Sequence, residues 1–370
     1  MAKKSDLRLV VSKSFIELGQ EVEKHLKVDH NYKGNLIVPM TEINFGTGES
    51  KAVLEASIRD KDVFLMMDPM NHGIPYKMYG RENRMTPINY IYNALSVATA
   101  MHGLASRMTA VLPFFPESRQ HRREGRESLD ASLVLKLLYS VGYSGVLTLD
   151  VHDPGIQMTD PCMAFENLYA SPEMIRLFLD NEDVDYNKTI VISPDEGASK
   201  RARFCAQIFQ CQMGSFTKRR DVMRIVDGKN PIKGHDFCAP EGLKDLTGYT
   251  AIVVDDMIAS GDSALDTARR LKDLGAEHVY FIATFCLFTG GINLFDEARA
   301  EGVFDAIYTT NANYIPEEWK RPFVKRADVS ELFANVICSI NTGEQISDLL
   351  NGTEQRKALA LEVLDRKRKK

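Results

Sequence analysis

Ala251-Ile252-Val253-Val254-Asp255-Asp256-Met257-Ile258-Ala259-Ser260-Gly261-Asp262-Ser263 decides how this chain is read, because an apolar run stops at two carboxylates and turns through small residues into a helix. Ile252 to Val254 form a β-branched run suited to a buried strand, and Ala264, Leu265, Ala268, Leu271 and Leu274 then recur at helical spacing. The loop between them therefore sits at the carboxyl end of a strand, where open α/β sheets bind ligands. Ser260, Gly261 and Ser263 are small enough for backbone N–H groups to approach phosphate oxygens, and the following helix presents its positive end there. Asp255 and Asp256 suit two neighbouring sugar hydroxyls as hydrogen-bond acceptors. The pattern describes a sugar-phosphate site; its competitor is an ordinary strand-to-helix turn with Ser260 or Asp262 as N-cap.

Outward from this stretch, strand-like runs alternate with helical patterns: Leu7 to Val11, Val63 to Met67, Ala110 to Phe115, Gly145 to Asp150, Thr189 to Ser193, Ala251 to Asp255 and His278 to Thr284. That order predicts parallel α/β units. Leu129, Leu133, Leu137 and Val141 return every four residues and place a helix before the Asp150 strand end. A chain of 370 residues fits roughly two domains, with the boundary between Pro161 and Pro172. We take 1–165 as the first domain and 166–333 as the second.

Composition excludes several classes. A net charge of -5 gives no reason to expect a nucleic-acid partner, and the basic end Arg366-Lys367-Arg368-Lys369-Lys370 reads as a solvated tail before it reads as a binding arm. The six cysteines are widely spaced, without a C-x-x-C pair, and read as reduced thiols rather than a disulfide framework or zinc site. No secretory apolar core and no run long enough to span a bilayer stands out, so a cytoplasmic protein without a membrane partner is expected.

Five further motifs occur in order: Phe45-Gly46-Thr47-Gly48-Glu49, Arg119-Gln120-His121-Arg122, Asp150-Val151-His152, Ser193-Pro194-Asp195 followed by Arg201-Ala202-Arg203, and Lys218-Arg219-Arg220. They resemble the adenine-binding loop, the ATP-binding segment, the metal-binding histidine motif, the second metal-binding segment and the catalytic loop of the ribose-phosphate pyrophosphokinases, the PRPP synthetases. The 251–263 stretch resembles the phosphoribosyl-diphosphate motif that these enzymes share with type I phosphoribosyltransferases. Each tripeptide alone is a weak signal; their order over most of the chain is a strong one.

The resemblance implies an α/β fold of two related type I phosphoribosyltransferase-like domains with largely parallel central sheets. The segment from about 334 to 370 would return to the first domain. It implies Mg²⁺-dependent transfer of the β,γ-diphosphoryl group of ATP to the C1 hydroxyl of ribose 5-phosphate, releasing AMP, in a homo-oligomer built from dimers. Lys218 and Arg220 would be catalytic. Phe45, Thr47, Glu49, Arg119, Gln120 and Arg122 would bind ATP, and His152 and Asp195 would bind metal. Asp255, Asp256, Ala259, Ser260, Gly261, Asp262 and Ser263 would hold the ribose phosphate.

Blander readings stand beside these. Phe45 equally suits a core, Lys218-Arg219-Arg220 alone would be solvated surface, and a lone His152 would be structural were it not for Asp150 and the Asp195 segment. The chain also departs from the family. Thr47 replaces an acidic residue, and Ala259-Ser260-Gly261-Asp262-Ser263 replaces Asp-Thr-Gly-Gly-Thr. A carboxylate at Asp262 repels a phosphate dianion unless it points away, caps the helix or meets a cation. Its sharper reading is a 5-substituted ribose such as ADP-ribose as acceptor, under the same chemistry. Asp68 to Tyr79 lacks a close counterpart, and the loop after Arg220, through Asp221, Arg224, Lys229, Lys233 and His235, is enlarged. A noncatalytic regulatory subunit is the remaining alternative, and Lys218, Arg220, His152 and Asp195 argue against it.

Overall fold

The computed structural model describes residues 6–101, 103–123, 125–220, 232–240, 243 and 245–369, with the backbone alone at 218–220, 232–235 and 351. The chain forms two compact units. The first holds the residues up to Ala170 with Asn311–Pro316 and Asp328–Gly352; the second holds Ser171–Thr310, Glu317–Ala327 and the residues from Thr353 onward.

The first unit contains β1 (Leu7–Val11), β2 (Ile37–Val38), β3 (Met40–Asn44), β4 (Ser50–Leu54), β5 (Asp62–Met66), β6 (Pro75–Met78), β7 (Arg81–Arg84), β8 (Arg107–Val111), β9 (Gly145–Leu149) and β10 (Ala164–Leu168). Six of them form a parallel sheet of order β10-β9-β8-β5-β1-β2. β5 and β9 are buried at every position, as expected of strands covered on both faces. Helices α1 (Ile16–Val28), α2 (Pro87–Ala100) and α3 (Asp130–Ser140) accompany the sheet. α3 forms where Leu129 to Val141 predicts it, but its buried face is Ala131, Val134, Leu135 and Leu138, while Leu133 is exposed. A strict spacing of four drifts around the helix, and the stripe that packs follows i, i+3, i+4, i+7. β3 with β4, and β6 with β7, are separate antiparallel hairpins that the sequence reading did not foresee.

The second unit contains β11 (Thr189–Ser193), β12 (Gln212–Arg220), β13 (Ile232–Cys238), β14 (Thr250–Ile258), β15 (His278–Cys286), β16 (Ala306–Thr310) and β17 (Val324–Ala327), ordered β13-β12-β11-β14-β15-β16-β17. Among these described strands the β12–β13 pair is antiparallel and the other pairs are parallel. Helices α4 (Ser171–Asn181), α5 (Ser199–Ile208), α6 (Asp262–Asp273) and α7 (Asn293–Ala300) belong here. The architecture is α/β throughout.

Residues from 334 onward do not all rejoin the first unit. The return ends at Gly352, and the terminal helix Thr353–Lys369 packs on α4 and α5. Arg176 Nη1 meets Glu362 Oε2 at 2.5 Å, Arg366 Nη1 donates to the Leu179 carbonyl at 2.6 Å, and the Arg356 guanidinium lies 4.2 Å from the Phe204 ring centre. The basic end is thus partly engaged, since Arg366 also bonds Glu362 Oε1 at 2.7 Å. Among the described residues no helix is long and apolar enough to cross a membrane, and all six cysteines are free thiols.

Candidate active site

β14 is the centre of the second unit's site because both of its neighbours, β11 and β15, run parallel to it and bury it. It continues to Ile258, past the expected end at Asp255, so the two acids lie within the strand's last residues rather than after it. The extra pairing comes from β15, whose Phe285 and Cys286 register with Met257 and Ile258. Asp256 is buried, and its backbone N–H donates to Asp255 Oδ1 at 2.8 Å. Asp255 is partly accessible at its surface, yet its carboxyl is densely surrounded by protein. Burial pushes it well above the usual carboxylate range, the adjacent Asp256 charge adds to this, and the Arg201 guanidinium opposes both.

The loop beyond is shaped by glycine. Gly261 has φ of 105°, and a Cβ there would lie 2.5 Å from two ring atoms of Phe295. Gly290 lets the Ser260 carbonyl approach to 2.8 Å of where its own Cβ would stand. Contrary to the capping expectation, neither Ser260 nor Asp262 caps α6: Gly261 is the N-cap, without a side-chain cap bond. Instead Ser260 Oγ donates to Asp262 Oδ2 at 2.8 Å, tying the loop to the first residue of α6. First-turn amides left uncapped by side chains are the groups that anions meet at helix N-termini. Ala259 and Ser260 are half-buried, and Asp262 and Ser263 are exposed.

β11 lies next to β14, so Asp195, two residues past β11, emerges at the same end of the sheet as the acid pair. Asp195 is half-buried; its Oδ1 accepts from the Ala198 N–H at 3.2 Å, and its carbonyl accepts from Ser193 Oγ at 2.6 Å. Lys218 and Arg220 lie on β12, with Lys218 in register with His235 of β13. Their side chains fall outside the described part, as do those of Lys233 and His235 and the whole of Asp221, Arg224 and Lys229.

In the first unit, Phe45 to Glu49 form the tip of the β3–β4 hairpin. Phe45 N–H donates to the Glu49 carbonyl at 2.8 Å, Gly48 N–H to the Phe45 carbonyl at 2.9 Å, and Thr47 Oγ1 to Glu49 Oε2 at 2.8 Å. Phe45 is 43% exposed, which removes the core reading, and Lys51 Nζ lies 5.7 Å from its ring centre. Arg119, Gln120 and Arg122 lie in the loop between β8 and α3, with both arginines exposed. Gln120 Nε2 is engaged in that loop, donating to the Ser128 carbonyl at 2.9 Å and the Arg122 carbonyl at 3.2 Å.

His152 follows β9 and is exposed, whereas Asp150 is buried with φ of 42° and accepts the Ala170 N–H on Oδ2 at 2.9 Å. Asp150 therefore shapes the turn that presents His152. His121 and Arg201, which belong to two of the motifs, make contacts of their own. His121 Nε2 meets Asp153 Oδ2 at 3.0 Å, and its ring centre lies 5.9 Å from that of His152, joining the loops after β8 and β9. Arg201 acts on Asp255. The spacing of basic residues on the α5 turn was the available signal for Arg201; nothing local in sequence marks the His121 contact.

Among the described residues, no three His, Cys, Asp or Glu side chains gather as a metal cage. Mg²⁺ rarely needs one, because it keeps several waters and is held through one or two carboxylates and substrate phosphates. Single donors such as half-buried Asp195 and exposed His152 fit that mode.

Residues 7–142 match the N-terminal domain of ribose phosphate pyrophosphokinase, and residues 240–351 match the phosphoribosyl synthetase-associated domain. The chain is 30% identical over 347 residues to a ribose-phosphate pyrophosphokinase of Synechococcus elongatus, covering 93% of each chain. It is 27% identical to ribose-phosphate pyrophosphokinase 2 of Schizosaccharomyces pombe, covering 94% of this chain and 98% of that one. The fold resembles a phosphoribosylpyrophosphate synthetase from Mycobacterium smegmatis, with a TM-score of 0.73 at 22% identity over 90% of this chain and 98% of that one.

Proposed function

The chain belongs to the ribose-phosphate pyrophosphokinase family, and from that premise we propose that it transfers the β,γ-diphosphoryl group of ATP to the C1 hydroxyl of ribose 5-phosphate, giving PRPP and AMP. The observation that carries this reading is the end of β14, where two adjacent carboxylates precede a glycine-shaped loop and a helix start without a side-chain cap. Asp255 and Asp256 accept the ribose hydroxyls and turn C1 outward. The 259–263 loop donates its amides to the 5-phosphate, so the acceptor is held at both ends and loses its translational freedom before reaction.

The C1 oxygen attacks the β-phosphorus of ATP, the Pα–O–Pβ bridge breaks on the β side, AMP leaves with the bridging oxygen, and the hydroxyl proton passes to solvent. Negative charge grows on that leaving oxygen. Lys218 supplies a compact charge and Arg220 a planar fork to the moving diphosphoryl oxygens. His152 in the first unit and Asp195 in the second are each candidate Mg²⁺ ligands, and the bound ion would supply neutralisation of phosphate charge. Phe45 stacks on adenine, Thr47 and Glu49 offer polar contacts, and Arg119, Gln120 and Arg122 hold the nucleotide. We place ATP binding in the first unit, ribose-phosphate binding in the second, and the working enzyme in a homo-oligomer of dimers.

One observation favours a second reading. Asp262 keeps its carboxylate in the loop, joined to Ser260, where a terminal phosphate dianion is repelled more than an internal diphosphate. ADP-ribose would then be the acceptor. Purified protein with Mg²⁺ and ATP, offered ribose 5-phosphate and ADP-ribose in parallel, decides by mass-resolved products. PRPP with stoichiometric AMP supports the first reading, product from ADP-ribose alone replaces it with the second, and no AMP from either sinks both.

A further inference from the structure

The segment between β5 and α2, which has no close counterpart in the family pattern, forms the β6–β7 hairpin. Its two-residue turn has positive φ at both Tyr79 (49°) and Gly80 (75°), the primed geometry that suits right-twisted hairpins. Asn or Asp normally fills the first of those positions, and a tyrosine there is strained. Its ring gains nothing by burial, since Tyr79 is 77% exposed. A bulky aromatic has been placed where both backbone and solvent disfavour it, and strain of this kind concentrates at functional sites.

The tip is fixed to a definite neighbour. Tyr79 N–H donates to the Gly46 carbonyl at 2.8 Å, in the loop that carries Phe45. Gly48, with φ of 93°, approaches Met78 so closely that a Cβ would lie 2.8 Å from its Sδ. The hairpin is also rooted in the unit. Met85 is buried and its N–H donates to the Ile74 carbonyl at 3.1 Å, while Tyr90 Oη donates to the Asn71 carbonyl at 2.6 Å. A cavity of about 260 Å³ opens beside the stems of the two hairpins, with Glu42 and Asn44 of β3 and Tyr76 and Lys77 of β6 among its walls. Two exposed aromatic side chains, Phe45 and Tyr79, are thereby presented from one interlocked pair of tips.

We propose that the β6–β7 tip is part of the nucleotide site: Tyr79 is a second aromatic contact for the purine base, and Met78 positions the Phe45 loop. This rests on the reading of Phe45 to Glu49 as the base-binding loop. The test is ATP binding by calorimetry, with KM for ATP and for the acceptor, on the full-length Tyr79→Asn, Phe45→Ala and Met78→Ala variants. Asn removes the ring but suits the positive φ better than Tyr does, so a merely structural Tyr79 predicts an equal or higher melting midpoint and unchanged ATP affinity. The proposal expects Tyr79→Asn to keep that midpoint yet weaken ATP about 5- to 150-fold, the range of base stacking on an aromatic, with the acceptor KM within about twofold. Met78→Ala raises the ATP KM several-fold and leaves the acceptor KM alone. If Phe45→Ala weakens ATP while Tyr79→Asn does not, the Tyr79 contact is wrong and the base-loop reading survives. If neither weakens ATP, the base-loop reading fails and this proposal with it.

Discussion

Replacing Gly261 by alanine tests the loop on which the acceptor site depends. At φ of 105° an L side chain clashes with its own backbone, at a cost of about 1–2 kcal/mol. The new Cβ would also stand 2.5 Å from two atoms of the Phe295 ring, which is fully buried and in edge contact with Phe288 at 4.8 Å between ring centres and with Phe304 at 6.2 Å. A ring so enclosed cannot simply swing away, and overpacking of this kind costs about 1–3 kcal/mol. The sum is about 2–5 kcal/mol, which lowers the melting midpoint of a unit of this size by roughly 4–20 °C. Because relief comes most easily by moving the loop, the acceptor KM rises at least tenfold while ATP affinity stays within about twofold. Calorimetric melting of the full chain, with initial rates at varied acceptor and saturating ATP, reads both quantities. An unchanged midpoint with an unchanged acceptor KM would refute the claim that Gly261 is required by sterics and that the loop holds the acceptor.

Asp255→Asn abolishes diphosphoryl transfer yet stabilises the fold. The raised carboxyl value means that the native state holds that proton more tightly than the unfolded chain, so wild-type stability falls as pH rises from about 4, the ordinary Asp value, through the raised native value. The variant's gain in melting midpoint is therefore small at about pH 4 and largest at neutral pH and above; a gain that shrinks with rising pH would show the sign to be wrong. Lys218→Ala lowers AMP formation about 100-fold or more, because a cation aimed at developing charge acts mainly in the transition state. Undiminished turnover in a quench-flow assay would remove Lys218 from the mechanism. Chelation by EDTA abolishes activity, reversibly on adding Mg²⁺, but shifts the unliganded melting midpoint by less than about 1 °C, since no protein cage of three or more such ligands occurs among the described residues. A large destabilisation would reveal a resident structural metal. Asp262→Thr lowers the KM for ribose 5-phosphate about 3- to 10-fold by removing a like charge from the loop; no change at low ionic strength would mean the carboxylate points away from the phosphate.

The second unit's strand, loop and helix were legible because their signals are contiguous. A β-branched run, an acid pair, small residues and a 3.6-residue repeat occupy one unbroken stretch, and each constrains the next. The stretch still concealed two things that depend on distant partners. β14 runs on to Ile258 because β15 is there to pair with it, and Gly261 is required because Phe295, far along the chain, closes the space behind it. Local sequence has no access to either. The capping expectation failed for the same reason: Ser260 and Asp262 are both competent caps, and only the folded loop decides that they bond to each other.

The first unit's site is distributed, and there the motif order carried the reading while residue chemistry alone did not. Phe45 became separable from a core aromatic only through its exposure at a hairpin tip, and that hairpin is marked in sequence by little more than Gly46 and Gly48. The β6–β7 hairpin was still harder to see, since its turn carries Tyr79 where the usual signal would be Asn or Asp before Gly80. A position that defeats a local rule without a compensating local gain is where a function outside the local rule is to be sought. The terminal helix shows the converse. Arg366 to Lys370 read as a basic solvated tail, but Arg366 bonds the Leu179 carbonyl, and with Arg176 on Glu362 and Arg356 over Phe204 the helix Thr353–Lys369 is a packed element of the second unit. Charged side chains can anchor a helix when carboxylates, carbonyls and aromatic faces are placed for them, and that placement is a property of α4 and α5, not of the tail's own composition.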